Sequence, residues 1–266
     1  MSAALQQTPV NSLASQPALL EIRNIAHNFG GLVVLRDVCF SVAQGKITGL
    51  IGPNGSGKTT LFNIASGFLR PKAGDLLLNT QTITSCSVQQ RSRLGLVRTF
   101  QTPKVFQHMS VRENIEMGFY ASTRAGFIST MFATPAARRE RLEMREKAEK
   151  TAAKFDITHL LDMTAGELPA GQQRIVEIAR AYMNAPSLLM LDEPSSGLSS
   201  DEVTLLRQWI ETLSAEGISI LLVSHDMGLM SVCHDVHALY FGKIIASGSM
   251  SAIQADPTVR EAYLGG

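Results

Sequence analysis

One eight-residue stretch limits what this chain can fold into, because it matches the phosphate-binding pattern G-x-x-x-x-G-K-[ST]. The pattern is formed by Gly52, Pro53, Asn54, Gly55, Ser56, Gly57, Lys58 and Thr59. Residues 46–51 before it predict a buried strand, and Thr60 with the apolar residues after it predicts a helix start. Glycines let such a turn curl until several N–H groups point at one anion. We therefore expect a nucleotide site, with Lys58 at the β- and γ-phosphates and Thr59 on Mg²⁺.

Composition restricts the partners and the compartment. The 266 residues carry a formal net charge of +1, which gives no support for a general polyanion-binding surface. Cys39, Cys86 and Cys233 lie far apart without a C-x-x-C spacing, so we interpret them as small buried side chains in a reducing cytosol. No apolar run is long enough to span a bilayer, and residues 1–18 lack the features of a signal peptide. We expect residues 1–18 to form a disordered tail.

The order of predicted strands and helices indicates an α/β fold. Strands are predicted at residues 19–23, 33–35, 75–79, 96–100, 187–191 and 218–223, and in a hairpin through Gly242. Ser110 and Glu113 form the capping box of a helix, residues 121–135 resemble a loop, and residues 136–155 predict a charged helix. The pattern predicts a parallel-sheet core that is interrupted by a mostly helical insert.

Two carboxylates, Asp192 and Glu193, directly follow the predicted strand at residues 187–191. Ligands of parallel sheets bind at the carboxyl ends of strands, so we expect Asp192 to meet the Mg²⁺ held by Thr59, through water. Glu193 is then free to act as general base on the attacking water. Each pattern has a plain alternative: a glycine-rich turn that only joins strand to helix, and a strand followed by an acidic helix start. Their occurrence together favours the phosphate and metal site.

Five motifs in one order make the chain similar to the nucleotide-binding subunits of ABC transporters. Besides the phosphate loop and the carboxylate pair, they are a glutamine loop at Gln101, a signature segment at residues 168–172 and a switch histidine, His225. The resemblance covers residues 19 to about 242. It implies an α/β fold: a RecA-like P-loop core with a parallel sheet, an N-terminal antiparallel β subdomain and an inserted α-helical signature subdomain.

The resemblance also implies roles for individual residues. ATP and Mg²⁺ are the implied cofactors, and Phe29 is the aromatic residue implied to stack on adenine. Gln101 would sense the γ-phosphate and Mg²⁺ and report to the helical subdomain. His225 would hold the γ-phosphate and orient the water that Glu193 activates. The reaction implied is the hydrolysis of ATP to ADP and phosphate, coupled to transport across a membrane.

The implied assembly is a head-to-tail pair of such subunits, with two ATP molecules between them. Each ATP would contact the phosphate loop of one partner and the signature of the other, so one chain alone would not build a complete site. The N–H groups that would face the second nucleotide belong to Ala170, Gly171 and Gln172. Pro169 and Ala170 replace the usual serine and glycine, which we interpret as a variant site tolerant of proline in the first helical turn. Ser199 replaces the usual aspartate after the carboxylate pair.

Within the family, the chain is most similar to the ATPases of branched-chain amino acid importers. The residues that carry this likeness are 29–32, 98–101, 111–115, 225–227 and 256–265, the last of them in a C-terminal tail that most ABC ATPases lack. The likeness implies transmembrane permease subunits as partners, a solute-binding protein as an indirect partner, and no nucleic acid. It also implies a peripheral position at the cytoplasmic face of the inner membrane.

We expect residues 19–266 to form a single nucleotide-binding domain. Its predicted parts are a core with the β subdomain at residues 19–100 and 182–248, a helical insert at 101–181 and a helical tail at 249–266. Two other functions would each require further sequence features. A soluble ABC ATPase acting on nucleic acid or the ribosome would carry tandem cassettes, coiled coils or basic inserts. A GTPase-type switch would need an N-K-x-D motif, which the sequence lacks.

Overall fold

The computed structural model describes residues 17–120 and 135–264. Its strands, in chain order, are β1 (Ala18–Phe29), β2 (Leu32–Ala43), β3 (Ile47–Ile51), β4 (Ala73–Leu78), β5 (Gln81–Thr82), β6 (Leu96–Arg98), β7 (Leu188–Asp192), β8 (Ser219–Val223), β9 (Asp235–Tyr240) and β10 (Lys243–Gly248). Within the described residues they form a four-stranded antiparallel sheet, β2-β1-β4-β5, and a six-stranded sheet, β10-β9-β3-β8-β7-β6. The second sheet is parallel except for the β9–β10 hairpin. The predicted parallel core and N-terminal antiparallel sheet are confirmed.

The helices, in chain order, are α1 (Lys58–Ser66), α2 (Val88–Arg93), α3 (Val111–Tyr120), α4 (Pro135–Lys154), α5 (Ala170–Met183), α6 (Ser200–Ala215), α7 (Met227–Met230), α8 (Met250–Ala255) and α9 (Pro257–Leu264). The helices α3, α4 and α5 lie between β6 and β7 in the chain and pack on one another, so the predicted helical insert is confirmed. Within the described ranges, no helix is both long and apolar enough to cross a membrane.

Alternating side chains on the central strands explain how the layers pack. On β7, Leu188 and Met190 belong to the core under the antiparallel sheet, whereas Leu189 and Leu191 belong to the core under the helices. A parallel strand covered on both faces must be apolar throughout, which is why β7 forms an unbroken apolar run in the sequence. Charged residues follow only where such a strand ends, so the functional groups gather at the carboxyl edge of the sheet.

Strand β6 ends at Arg98, two residues before the predicted end at Phe100. The N–H of Thr99 still donates to the carbonyl oxygen of Met190 on β7. The next N–H, that of Phe100, instead donates to a carboxylate oxygen of Glu177 at 3.4 Å. A side chain of the helical insert thus ends the strand, and a local sequence pattern does not contain that information.

The cysteines differ in burial. Cys233 is buried, and burial raises the pKa of its thiol to about 12. Cys39 is exposed and accepts a hydrogen bond from the backbone N–H of Asn24, so its interpretation as a buried side chain was wrong. The loop expected at residues 121–135 and the tail expected at residues 1–18 fall almost entirely outside the described residues.

Candidate nucleotide site at the carboxyl edge of the central sheet

The phosphate loop joins β3 to α1, and two of its glycines leave no room for a side chain. A Cβ atom at Gly52 would lie 2.2 Å from the carbonyl oxygen of Leu239, and one at Gly57 would lie 2.8 Å from Cδ2 of Leu35. Gly57 caps α1 with a φ of +108°, which favours glycine. The loop is therefore held against β2 and β9, and the unpaired N–H groups of the first turn of α1 lie beside it.

Lys58 folds back over the loop that precedes it. Its Nζ donates to the carbonyl oxygens of Gly52 at 2.6 Å and Pro53 at 3.0 Å. Burial lowers the pKa of Lys58, and the nearby carboxylates of Glu193 and Asp192 partly offset that shift. The ammonium group thus lies between the loop and both carboxylates, where the terminal phosphates of a nucleotide are expected.

The hydroxyl groups of this region fit a phosphate and a metal ion. Ser56 Oγ is buried and has no hydrogen-bond partner among the described residues, and a phosphate oxygen would satisfy it. Thr59 is exposed in the first turn of α1. Its hydroxyl and the carboxylate of Asp192 are the hard oxygen ligands that Mg²⁺ prefers. The residues predicted for ATP and Mg²⁺ are therefore chemically suited to both.

Glu193 and His225 meet beyond the ends of β7 and β8. Glu193 Oε2 lies 2.7 Å from Nδ1 of His225 and 3.3 Å from its backbone nitrogen. Glu193 has a φ of +48°, a left-handed conformation that strains a residue with a β-carbon. Its N–H donates to the carbonyl oxygen of Val223, which ties the strained residue to β8. The structure brings together these two predicted residues, while their catalytic roles stay predictions.

Asp192 is paired with a residue that the sequence analysis did not assign to the site. Arg98 Nη2 lies 2.7 Å from Asp192 Oδ2, and both side chains are nearly buried. In the sequence, Arg98 stands out only as an arginine three residues before Gln101, within one of the segments that carry the family likeness. A charged residue next to an apolar strand does not reveal its partner when that partner lies 94 residues away.

The glutamine loop is held through its main chain. Arg174 of α5 donates to the carbonyl oxygens of Phe100 and Gln101. Glu177, one turn later, accepts hydrogen bonds from the N–H groups of Phe100 at 3.4 Å and Lys104 at 3.2 Å. The side chain of Gln101 is exposed. Two side chains of α5 therefore hold the main chain of the glutamine loop from Phe100 to Lys104.

The signature segment has a local partner that the sequence did not indicate. Pro169 is the N-cap residue of α5, just before the first helical turn where it was expected. A Cβ at Gly171 would lie 2.0 Å from Oε1 of Glu202. That carboxylate accepts from the N–H and hydroxyl of Ser199, each at 2.8 Å, and so caps α6. Within the described residues, no hydrogen bond or ion pair joins residues 170–172 to the phosphate loop.

Two aromatic residues border the site. Phe29 ends β1 with 52% of its surface exposed, and its ring meets His27 edge-on at 4.7 Å, which leaves it free to stack on a base. Tyr263 of α9 was not predicted. Burial and, to a smaller degree, the charge of Glu193 raise the pKa of its hydroxyl, and the nearby backbone N–H of Gly52 opposes that shift. In the sequence, the C-terminal tail indicates only the subfamily.

The geometry agrees with the comparisons to known proteins. A family model described as ABC transporter matches residues 35–196, and one described as branched-chain amino acid ATP-binding cassette transporter matches residues 243–266. The chain is 36% identical over 249 residues to the high-affinity branched-chain amino acid transport ATP-binding protein BraF of Pseudomonas aeruginosa, covering 93% of this chain and 98% of BraF. It is 34% identical to the lipopolysaccharide export system ATP-binding protein LptB of Acidithiobacillus ferridurans, covering 93% of this chain and 97% of LptB.

A solved structure extends the likeness to the fold. The ADP conformation of an ATP-binding cassette from an ABC transporter superimposes with a TM-score of 0.82 at 34% identity, covering 94% of this chain and all of the other. The phosphate loop, the carboxylate pair after β7 and the helical insert thus lie in a chain of which 93–94% is covered by these ATP-binding relatives. The chain belongs to the ABC transporter family, as one of its ATP-hydrolysing cassettes.

Proposed function

We propose that this chain powers an importer of branched-chain or other amino acids. The observation that carries the catalytic part is the Glu193–His225 pair beside the phosphate loop, with Oε2 and Nδ1 2.7 Å apart. The tail match over residues 243–266 and the likeness to BraF support an amino-acid cargo. The likeness to LptB supports the ATPase but would fit another cargo, so the cargo has to be tested directly.

In the proposed mechanism, the loop N–H groups and Lys58 bind the terminal phosphates and compensate their charge. Glu193 accepts the proton of the attacking water. His225 holds that carboxylate through Nδ1, while the remainder of its ring, which is exposed, is available to the γ-phosphate. The left-handed backbone at Glu193 aims its side chain across the edge of the sheet, which is a reason for the fold to tolerate the strain.

The remaining predicted residues hold the metal and the base. Thr59, Gln101 and Asp192 would hold Mg²⁺, which when bound neutralises charge on the β- and γ-phosphates. Phe29 would stack on the adenine ring. Asp192 keeps its ion pair with Arg98 in this arrangement, since a carboxylate has two oxygens and Arg98 contacts one of them.

The second half of the site would come from a partner subunit, identical or paralogous, in a head-to-tail dimer. The N-terminus of α5 begins at Ala170, so its N–H groups are available to an anion from outside the chain. Ser199 lies at the N-cap of α6, where it forms a capping box with Glu202.

A groove next to the glutamine loop supports docking of a transmembrane permease. The cavity has a volume of about 460 Å³ and is lined in part by Val105, Phe106, Met117 and Arg180. It lies against the insert that we delimit as residues 101–181, and a short helix of a permease subunit would fit it. The chain would then sit peripherally at the cytoplasmic face of the cell membrane, with a solute-binding protein acting only through the permease.

Uptake in a strain that lacks this chain tests the proposal. The wild-type chain should restore uptake of branched-chain amino acids, and Glu193→Gln should not, because the amide cannot accept the proton of the attacking water. Purified Glu193→Gln should bind ATP normally and hydrolyse it at least about 100-fold more slowly. Uptake of a panel of other amino acids, urea and amides, measured in parallel, identifies the cargo.

Lys58→Ala is the matched control in the same strain, since it should lose ATP binding as well as hydrolysis. Hydrolysis by Glu193→Gln at the wild-type rate would exclude Glu193 as the base. Normal growth and normal uptake of every solute in the panel by the deletion strain would exclude an amino-acid importer while leaving the ATPase intact.

A further inference from the structure

Arg98 occupies an enclosed position between the phosphate-loop helix and β7. Its side chain is 6% exposed. Nη2 donates to Asp192 Oδ2 at 2.7 Å, and Nη1 donates to Asn63 Oδ1 at 2.7 Å and to Ser66 Oγ at 3.0 Å. Its guanidinium also lies within 5.9 Å of the ring centres of three phenylalanines, at positions 62, 68 and 100. The planar group is therefore fixed by bonds in its plane and by rings around it.

The partners of Arg98 belong to the two elements that carry the proposed metal ligands. Asn63 and Ser66 lie on α1, whose first turn contains Thr59. Asp192 is the last residue of β7. No backbone hydrogen bond joins α1 directly to β7 in the described residues. The Arg98 side chain therefore connects α1, which carries Thr59, to β7, which carries Asp192.

We propose that Arg98 is a positioning residue for the catalytic metal. It binds Oδ2 of Asp192 and leaves the other carboxylate oxygen to the hydration shell of Mg²⁺, at a spacing from Thr59 that α1 fixes. This inference rests on the proposed function, because it takes Asp192 and Thr59 as the metal ligands. Groups that orient a metal-binding carboxylate from behind commonly change metal affinity by about 10–100-fold when they are removed.

Arginine is suited to this task in a way that lysine is not. Its fork reaches Asp192 with one nitrogen and α1 with the other, whereas an ammonium group is a point charge with no fixed plane. The positive charge of Arg98 also repels a metal ion nearby. Orientation outweighs repulsion, and removal of Arg98 weakens Mg²⁺ binding.

The test measures Mg²⁺ dependence of nucleotide binding without turnover. A fluorescent, non-hydrolysable ATP analogue is titrated onto each variant in EDTA and then at increasing Mg²⁺. Arg98→Met should leave the affinity in EDTA within about twofold and raise the half-saturating Mg²⁺ concentration about tenfold or more. Arg98→Lys should recover part of the loss. An unchanged or lower half-saturating Mg²⁺ in folded Arg98→Met would overturn the inference.

Arg91→Met is the matched structural control. Arg91 is also buried and donates to α1, through the carbonyl oxygens of Ile64 and Ala65, but it does not contact Asp192. It should leave the Mg²⁺ dependence unchanged. An equal shift in Arg91→Met would show that the loss of any buried arginine that bonds to α1 has this effect, and would overturn the inference.

Two further variants separate the possible failures. Asp192→Asn should raise the half-saturating Mg²⁺ concentration. If it does not, the proposed metal site is wrong. If Asp192→Asn raises that concentration and Arg98→Met does not, only the role of Arg98 is refuted. If circular dichroism shows that Arg98→Met does not fold, the Mg²⁺ dependence of Asn63→Ala and Arg98→Lys tests the inference in its place. Asn63→Ala keeps the ion pair but removes an anchor to α1, and an unchanged Mg²⁺ dependence in both variants would overturn the inference.

Discussion

Gly52 is the residue at which the phosphate loop touches the main chain of a neighbouring strand. Because a Cβ there would lie 2.2 Å from the carbonyl oxygen of Leu239, Gly52→Ala should push the loop away from β9. We expect a loss of about 1–3 kcal/mol in the free energy of unfolding, as for an overpacked core, and weaker ATP binding. Urea unfolding and nucleotide titration measure the two effects.

Gly55→Ala is the control for that variant. Gly55 also has a positive φ, +80°, but an added Cβ would meet nothing within 4 Å. The backbone strain alone should cost about 1–2 kcal/mol, without displacement of β9. Equal losses of stability and affinity in the two variants would mean that the contact with Leu239 is not what restricts the loop.

Site residues that belong to a local sequence motif could be predicted. Site residues whose partners lie far away in the chain could not. Lys58 and Glu193 follow from local patterns, because a phosphate loop and a strand end are each complete within a few residues. Arg98 and Tyr263 could not be found in this way. Their partners, Asp192 and Gly52, lie far away in the chain, and neither residue belongs to a pattern with its own chemistry.

At the scale of elements, a buried ion pair within the signature helix α5 holds the glutamine loop, because both of its members also bond to the main chain of that loop. Arg174 and Glu177 have side chains that are 1% and 3% exposed, with Nη1 and Oε2 2.7 Å apart. Burial raises the pKa of Glu177, and the charge of Arg174 opposes that shift. Both residues also bond to the main chain at Phe100, so the pair is satisfied by groups from two elements.

Removing one member of this pair should be more harmful than removing both. Arg174→Met would leave the Glu177 carboxylate buried and unpaired, and should lower the free energy of unfolding by about 3–5 kcal/mol. The double variant Arg174→Met, Glu177→Leu removes the uncompensated charge and should recover part of that loss. Urea unfolding of both single variants and the double variant measures the coupling.

The exposed pair Arg145–Glu149 on α4, 3.7 Å apart, provides the control. Arg145→Met should change stability by less than about 1 kcal/mol, because solvent screens the pair. Strictly additive effects at positions 174 and 177 would contradict the view that the two side chains act as one unit in holding the glutamine loop.

The boundaries of the elements were predicted to within a few residues where turn and capping signals are local. Gly67 ends α1 with a φ of +88°, as expected for a glycine after the helix. Ser110 and Glu113 form the expected capping box. By contrast, β6 ends early because Glu177 takes the N–H of Phe100, a contact that arises only when the insert has folded against the core.

On the scale of the whole molecule, the C-terminal helix α9 reaches the phosphate loop through Tyr263. Tyr263→Phe keeps the ring but removes the hydroxyl that lies near the backbone N–H of Gly52. The loss of one polar contact of this kind should weaken ATP binding by about two- to fivefold, with little change in stability. Equilibrium nucleotide titration measures the effect.

Tyr182→Phe removes a hydroxyl of the same kind from a site away from the loop, where it lies 3.2 Å from a carboxylate oxygen of Glu216. It should leave ATP affinity unchanged. Equal affinities of the wild type and Tyr263→Phe would show that the tail covers the core without contributing to the nucleotide site.

The order of layers was predictable for the whole molecule because each layer has its own sequence period. Continuous apolar runs gave the covered parallel strands β7 and β8, and a charged helix with one apolar stripe gave α4, whose Met144, Ala148 and Thr151 are buried. The position of the tail could not be predicted, because two short helices, α8 and α9, carry no signal for the surface on which they pack.

The position of Tyr263 has a practical consequence for handling the protein. Any affinity handle fused behind residue 266 would begin at most ~14 Å of extended chain from that tyrosine. A histidine tag placed there would bring imidazoles, and the nickel they carry, close to the candidate nucleotide site. Purification tags for kinetic work should therefore be attached ahead of β1.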